Sequence, residues 1–271
     1  VISDLNAAKD LLREVFKKVG LEGSISSAKT VICCPSEVTP VEREALRDLA
    51  INIGSSETVI EEEIKAGVIG SNVDVYRSFG TLVVDVGGGT TDVGVVCLGD
   101  VVLSKSIRMA GNFMDREIIK YCKQALKIDV GEKMAEKIKI QLASLNTSDS
   151  AKNEKMKIAG RDLITGIPRV SEISTKEVTG ILVPIFEEIY NLVVATLKET
   201  PAELCSDIYY GEILLNGGGT QVDYLKEFLE EKLQLSVKVT KVPLTSVALG
   251  TKVLLDTHQD YVHTDKFSVE A

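Results

Sequence analysis

TLVVDVGGGTTDVGVVCLGDVVLSKSIR, from Thr81 to Arg108, is the stretch on which the fold turns. Leu82-Val83-Val84-Asp85-Val86 is a nearly continuous apolar run, as buried strands are. Gly87-Gly88-Gly89-Thr90-Thr91-Asp92 interrupts it, Val93 to Leu98 resumes it, and Gly99-Asp100 turns the chain into a third strand, Val101 to Ile107. The pattern is strand, glycine turn, strand, hairpin, strand. Glycine lets a ligand approach the backbone amides closely, and successive amides in such a turn attract phosphate oxygens. Thr90 and Thr91 add hydroxyls there. Asp85, at the end of its strand, suits Mg²⁺ held through water, because Mg²⁺ keeps much of its hydration shell.

The same signal recurs downstream. Glu212 to Leu215 reads as a strand and ends in Asn216-Gly217-Gly218-Gly219-Thr220, after which a helix is expected to about Leu233. One such turn is as readily a plain tight turn; two, each after a buried strand, point to a bound phosphate compound. Neither turn matches the phosphate-loop pattern G-x-x-x-x-G-K-[ST] or the dinucleotide pattern G-x-G-x-x-G.

Around these turns the chain alternates helices and strands. Residues 4 to 19 have amphipathic helical spacing, and Lys29 to Cys34 reads as a strand. Thr39-Pro40-Val41-Glu42 is a capping box opening a helix to about Ile53. A short strand near Thr58 to Ile60 leads into a helix through Ile69. Two helices are expected at about 112 to 126 and 131 to 145, then a loop and a weak strand near Met156 to Ala159. Ser174-Thr175-Lys176-Glu177 caps a long helix that contains Pro184, where a kink is expected. A strand at Ser236 to Thr240 and a last helix from Thr245 complete the pattern. The segment from Leu21 to Ile25 reads as a plain loop, and the polar stretch from His258 to Ala271 as a loose tail.

Composition narrows the function. The 271 residues are 44% hydrophobic and carry a net charge of -9. Nucleic acid is therefore an unlikely partner, since phosphate backbones need clustered Lys and Arg. No run of eighteen apolar residues occurs. The five cysteines form no C-x-x-C pair and fit a reducing cytoplasm.

Asp85-Val86-Gly87-Gly88-Gly89-Thr90-Thr91-Asp92 resembles the second phosphate loop of the actin, sugar-kinase and heat-shock-chaperone ATPase superfamily. Leu215 to Thr220 is similar to its adenosine motif. Ala135-Glu136-Lys137-Ile138-Lys139 is similar to the helix that offers the adenosine an acidic and a basic side chain. Within that superfamily, Ser104 to Arg108, Gly160 to Leu163, Gly166 to Arg169, Pro201 to Leu204 and Pro243 to Ala248 resemble the MreB family of bacterial actins, at matching order and spacing. The similarity runs from Val1 to about Leu255. Two departures stand out. The family's first phosphate hairpin, of Asp-Leu-Gly-Thr type, is missing, so we expect a segment upstream of Val1. Glu61-Glu62-Glu63-Ile64 stands where the family usually has Ile-Glu-Glu-Pro.

The resemblance implies an α/β, actin-like two-lobe ATPase fold with the first lobe incomplete. Residues 1–70 and the C-terminal helix at 245–257 would belong to the first lobe. Residues 71–110 and 179–244 would form the core of the second, with 111–178 inserted as a small subdomain. It implies ATP and Mg²⁺ as cofactors, ATP hydrolysis, and self-assembly into cytoplasmic filaments of cell shape, with the inner face of the membrane and cell-shape proteins as further partners. The nucleotide would be bound by Gly87, Gly88, Gly89, Thr90 and Thr91, by Glu136, Lys137 and Lys139, and by Gly217, Gly218, Gly219 and Thr220. Asp85 would hold the metal through water. Glu63 falls on the family's catalytic carboxylate, with Thr90 sharing the attacking water. By chemistry alone, Glu61 to Glu63 reads first as a solvated acidic face, and Lys137 and Lys139 as surface lysines; the resemblance reverses this for Glu63. An actin-fold small-molecule kinase or a non-polymerising ATPase is the alternative.

Overall fold

The computed structural model describes residues 5–18, 20, 29–148 and 151–264. The segment from Leu21 to Ile25 and the stretch after Thr264 lie outside them. In chain order the elements are α1 (Leu5–Lys18), β1 (Lys29–Cys34), α2 (Pro40–Asn52), β2 (Glu57–Glu62), α3 (Glu63–Gly70), β3 (Thr81–Val86), β4 (Thr91–Cys97), β5 (Asp100–Ile107) and α4 (Gly111–Gln124). There follow β6 (Ile128–Asp129), α5 (Glu132–Leu142), β7 (Lys155–Asp162), β8 (Pro168–Ser174), α6 (Thr175–Glu199), α7 (Ala202–Tyr210), β9 (Ile213–Asn216), α8 (Leu225–Leu233), β10 (Val237–Val239) and α9 (Ser246–Thr264).

The strands form three sheets. The largest has the order β10-β9-β3-β4-β5. β3, β4 and β5 run antiparallel, as the two turns between them require, while β9 joins β3 in parallel. Side chains alternate across a strand, so this sheet is buried twice over. Val84, Val86, Val93 and Val95 face the main core with Met114, Ile118, Leu182 and Phe186. Val83, Val96 and Leu214 face the other way, onto Ile64 and Val68 of α3. β1 and β2 pair in parallel and pack on α2, and β6, β7 and β8 make a small antiparallel sheet.

Both capping boxes are present. Glu42 returns to the backbone N–H of Thr39, and Glu177 to that of Ser174. Each box satisfies two amides that a helix start leaves without partners. Helix α6 runs unbroken through Pro184. By length and composition it is the one described helix apolar enough to cross a membrane. Its buried residues Val178, Leu182, Phe186, Ile189 and Val193 lie in the main core, which accounts for its character.

Several expectations are corrected. The acidic run is not a solvated face: Glu61 and Glu62 complete β2, Glu63 opens α3, and all three are half-buried. Beyond the glycines 217–219 there is no single helix. A short 3₁₀ turn ends at Gln221, and Tyr224 adopts φ +66° before α8 begins. Helix α7 and strands β6 and β8 were not anticipated. α9 continues to Thr264, past the expected start of a tail at His258, with neither Gly nor Pro after Gly250 to stop it.

α3 and α9 cross at backbone distance. A Cβ added to Gly70 would run into the carbonyl of Ser246, and one added to Gly250 into the carbonyl of Ala66. Only glycine permits this approach.

Candidate functional site

The two glycine turns lie side by side because their strands do. β3 and β9 are parallel neighbours, with Asp85 opposite Asn216 at their ends. Turns 87–90 and 217–220 therefore leave the same edge of the sheet. The ends of parallel strands are where open α/β sheets place ligands. Gly87 N–H closes the first turn on Thr90 C=O at 3.0 Å. The first amides of α4 brace it from behind: Gly111 N–H donates to Gly87 C=O at 3.1 Å and Asn112 N–H to Gly88 C=O at 2.8 Å. Gly217 has φ +83°, and a Cβ there would strike the carbonyl of Val86. Gly219 packs on Val86 in the same way. Gly88 and Gly89 differ. Both are exposed, and a Cβ at either would meet nothing within 4 Å. The open side of the first turn is thus free for a ligand.

The threonines divide in role. Thr91 is buried and its hydroxyl donates to Met109 C=O at 2.6 Å. The Thr220 hydroxyl donates to Gly217 C=O at 2.7 Å and is also buried. Both hydroxyls therefore shape the turns. Thr90 is half-buried at the tip of the first turn.

Three carboxylates gather on the face of the sheet that looks at α3. Asp85 and Asp92 are opposite one another in the β3–β4 ladder, and paired residues on antiparallel strands share a face. Glu63, at the start of α3, is near enough to feel both charges. Burial, with Asp92 and Asp85 adding repulsion, pushes Glu63 up to about 7. Burial raises Asp85 to about 6, against a hydrogen bond from Asn216 that favours its charge. Burial also raises Asp92. Asn216 donates to Asp85 Oδ2 at 2.7 Å and accepts from the Ser246 hydroxyl. This buried chain ties the ends of both central strands to the start of α9.

That accumulation of negative charge fits a divalent cation. Among the described residues no three such side chains converge to ligate a metal directly. Asp85 would therefore act through water, as Mg²⁺ allows.

On α5, Ala135 and Ile138 are buried and Glu136 and Lys137 are exposed. Lys139 leans over the first turn of α4. Its ammonium donates to Asp115 Oδ2 at 2.8 Å and to Gly111 C=O at 3.0 Å. Gly111 in turn touches Gly87 and Gly88, so Lys139 is brought to the first glycine turn. Lys137 has no such link. Burial raises the carboxyl of Asp115, Lys139 opposes the rise, and the charge of Glu136, on the Lys139 side of α5, adds to it. Sequence reading gave no role to Asp92, Asn216, Ser246 or Asp115. Asp92, Asn216 and Ser246 stood inside quoted motifs; Asp115 comes to the site from α4, which carried none.

A family model described as MreB/Mbl protein matches residues 1–263. The cell shape-determining protein Mbl of Bacillus subtilis (strain 168) is 37% identical over 256 residues, which are 94% of this chain and 76% of that protein. The crystal structure of MreB 5 of Spiroplasma citri bound to AMPPNP superposes with a TM-score of 0.92 at 35% identity, covering 98% of this chain and 79% of that one. A MamK double helical filament matches with a TM-score of 0.78 at 21% identity, over 94% of this chain and 77% of that one, a likeness of fold.

Proposed function

Since this chain belongs to the MreB/Mbl family of actin-like cytoskeletal proteins of cell shape, we propose that it binds Mg-ATP between its two glycine turns, hydrolyses it, and assembles head to tail into filaments. The observation that carries the reading is the pairing of β3 with β9, which sets both turns at one edge of the sheet with Asp85 and Asn216 between them.

The phosphates lie along the open side of Gly87 to Thr90, and the adenosine between Glu136, Lys139 and Gly217 to Gly219. Mg²⁺ would supply neutralisation of phosphate charge, and Asp85, at the end of β3, would hold it through water. Glu63 takes a proton from the attacking water, and the Thr90 hydroxyl holds that water's other side. A carboxyl that ionises near neutrality suits a base working at cellular pH. The first lobe, in this reading, comprises residues 1–70 and the C-terminal helix at 245–257, and α3 packs it on the large sheet of the second. The nucleotide-bound MreB 5 of Spiroplasma citri supports the nucleotide, and the MamK filament supports the assembly. Unlike surfaces meeting head to tail give open filaments when the rotation does not close a ring.

Sedimentation and negative-stain imaging with Mg-ATP, alongside phosphate release, test this. Nucleotide-dependent polymers and phosphate release are expected. Monomers alone, across protein concentration and salt, would sink the filament and favour a kinase-like ATPase.

A further inference from the structure

Asp92 is 2% exposed and has no part in the mechanism above. It is the second residue of β4, just after the phosphate turn, opposite Asp85 on one side and Ser106 on the other. Its Oδ1 accepts from the backbone N–H of Ser36 at 3.2 Å. Ser36 follows β1 in the chain, and β1 ends beside β2, from which Glu63 opens α3. A second bond runs parallel to the first: Ser106 N–H donates to Glu37 Oε1 at 3.1 Å. Burial raises the Asp92 carboxyl, and hydrogen bonds from the Thr90 hydroxyl, the Ser36 amide and the Ser106 hydroxyl pull it back toward its charged form. One buried carboxylate therefore touches the phosphate turn at Thr90, the loop after β1 at Ser36, and the neighbouring strand β5.

Burying a carboxylate between two others is costly unless something returns the energy. Asparagine in its place could keep the bond from Ser36 but would turn an N–H₂ donor toward the hydroxyls. The charge at this position is thus the feature to explain. An ionised acceptor is a stronger partner for a hydroxyl than a neutral one, and it receives the hydroxyl's proton. The oxygen of Thr90 then presents its lone pairs outward, where an attacking water can donate to it. The Ser36 hydroxyl is buried and without a hydrogen-bond partner among the described residues.

We propose that Asp92 is a positioning residue for hydrolysis, which fixes the Thr90 hydroxyl as an acceptor for the attacking water and pins the loop at Ser36 against the phosphate turn. The proposal rests on the hydrolytic reading given above and adds to it the residue that aligns its water. Asp92 acts through Thr90, so its loss slows the chemical step and spares nucleotide binding.

Asp92→Asn, Thr90→Val, the double variant and Glu63→Gln should be compared for kcat, KM and affinity for a non-hydrolysable ATP analogue. Asp92→Asn should lower kcat at least tenfold, with analogue affinity within threefold of wild type. The double variant should be no slower than Thr90→Val alone, because residues acting as one unit are not additive. Asp92→Glu, which keeps the charge at longer reach, should recover part of kcat and covers the case in which the asparagine variant does not fold. Equal kcat in Asp92→Asn and wild type, or fully multiplicative losses in the double variant, would overturn the role while a dead Glu63→Gln left the hydrolytic reading standing. A wild-type protein that releases no phosphate would overturn both.

Discussion

Glu63 concentrates the residue-scale argument. A carboxylate facing a terminal phosphate is repelled by it, so its value lies in ordering water. Glu63→Ala should cut hydrolysis by roughly a hundredfold, the ordinary scale for a general base, while nucleotide affinity changes only a few fold. Wild-type turnover in that variant would move the base to a neighbour, Glu62 first. The rate should also fall as pH drops through about 7, where Glu63 gains its proton. Stability without nucleotide runs the other way. The unfolded carboxyl releases its proton near 4.5 and the folded one near 7. Between these values the native chain holds a proton that the unfolded chain has lost, so stability declines as pH rises through that window and is lowest above it. Glu63→Gln should then melt higher than wild type at pH 8, with the advantage fading toward pH 5. Gly88 offers a cleaner contrast. A side chain there meets only open space, so Gly88→Val should leave the melting temperature of the free protein unchanged and abolish ATP binding. Calorimetric titration showing wild-type affinity would place the phosphates elsewhere.

At the scale of elements, local signals and long-range ones separate. Strands β3, β4 and β5, both capping boxes and both glycine turns were legible because their determinants are neighbours in sequence: an apolar run, a Ser or Thr three residues before Glu, a cluster of glycines. Helix α7 carries few such marks, with Pro201 before it and a mixed face in which only Ile208 is buried. The break before α8 rests on Tyr224 at positive φ, a conformation no pattern assigns to tyrosine. The acidic run was assigned to the site at Glu63 only through family resemblance. Its burial depends on β1 pairing with β2, a contact between separated segments. The α3–α9 crossing was likewise invisible, since Gly70 and Gly250 each look like ordinary helix interruptions. Gly250→Ala should destabilise by at least about 1–3 kcal/mol, the usual range for forced overpacking, because the obstacle is backbone and cannot rotate away. Thermal melting within a degree of wild type would mean that the helices part freely. Ser174→Ala, by comparison, should cost about 1 kcal/mol, the loss of one cap.

For the whole molecule, charge sets the conditions of assembly. Each chain carries a net -9, so subunits approaching head to tail repel one another over the Debye length, about 10 Å at 0.1 M salt. The critical concentration for polymerisation should fall as salt rises from about 0.02 to 0.2 M. A steep rise instead, read by light scattering, would show that the contact is built from opposite charges. Glu63→Ala filaments should persist longer than wild-type ones, because the nucleotide state that loosens them is reached more slowly. The bond between Asp85 and Asn216 has a consequence for synthesis as well. It joins groups 131 positions apart in the chain. At roughly 5–20 residues per second, the first glycine turn leaves the ribosome several seconds or more before its partner exists. Until then Asp85 has no amide to hold it and Gly88 has no opposite wall. On the proposed reading, a nascent chain that has not yet reached Asn216 is blind to ATP, and the nucleotide can act on folding only after β9 has joined β3.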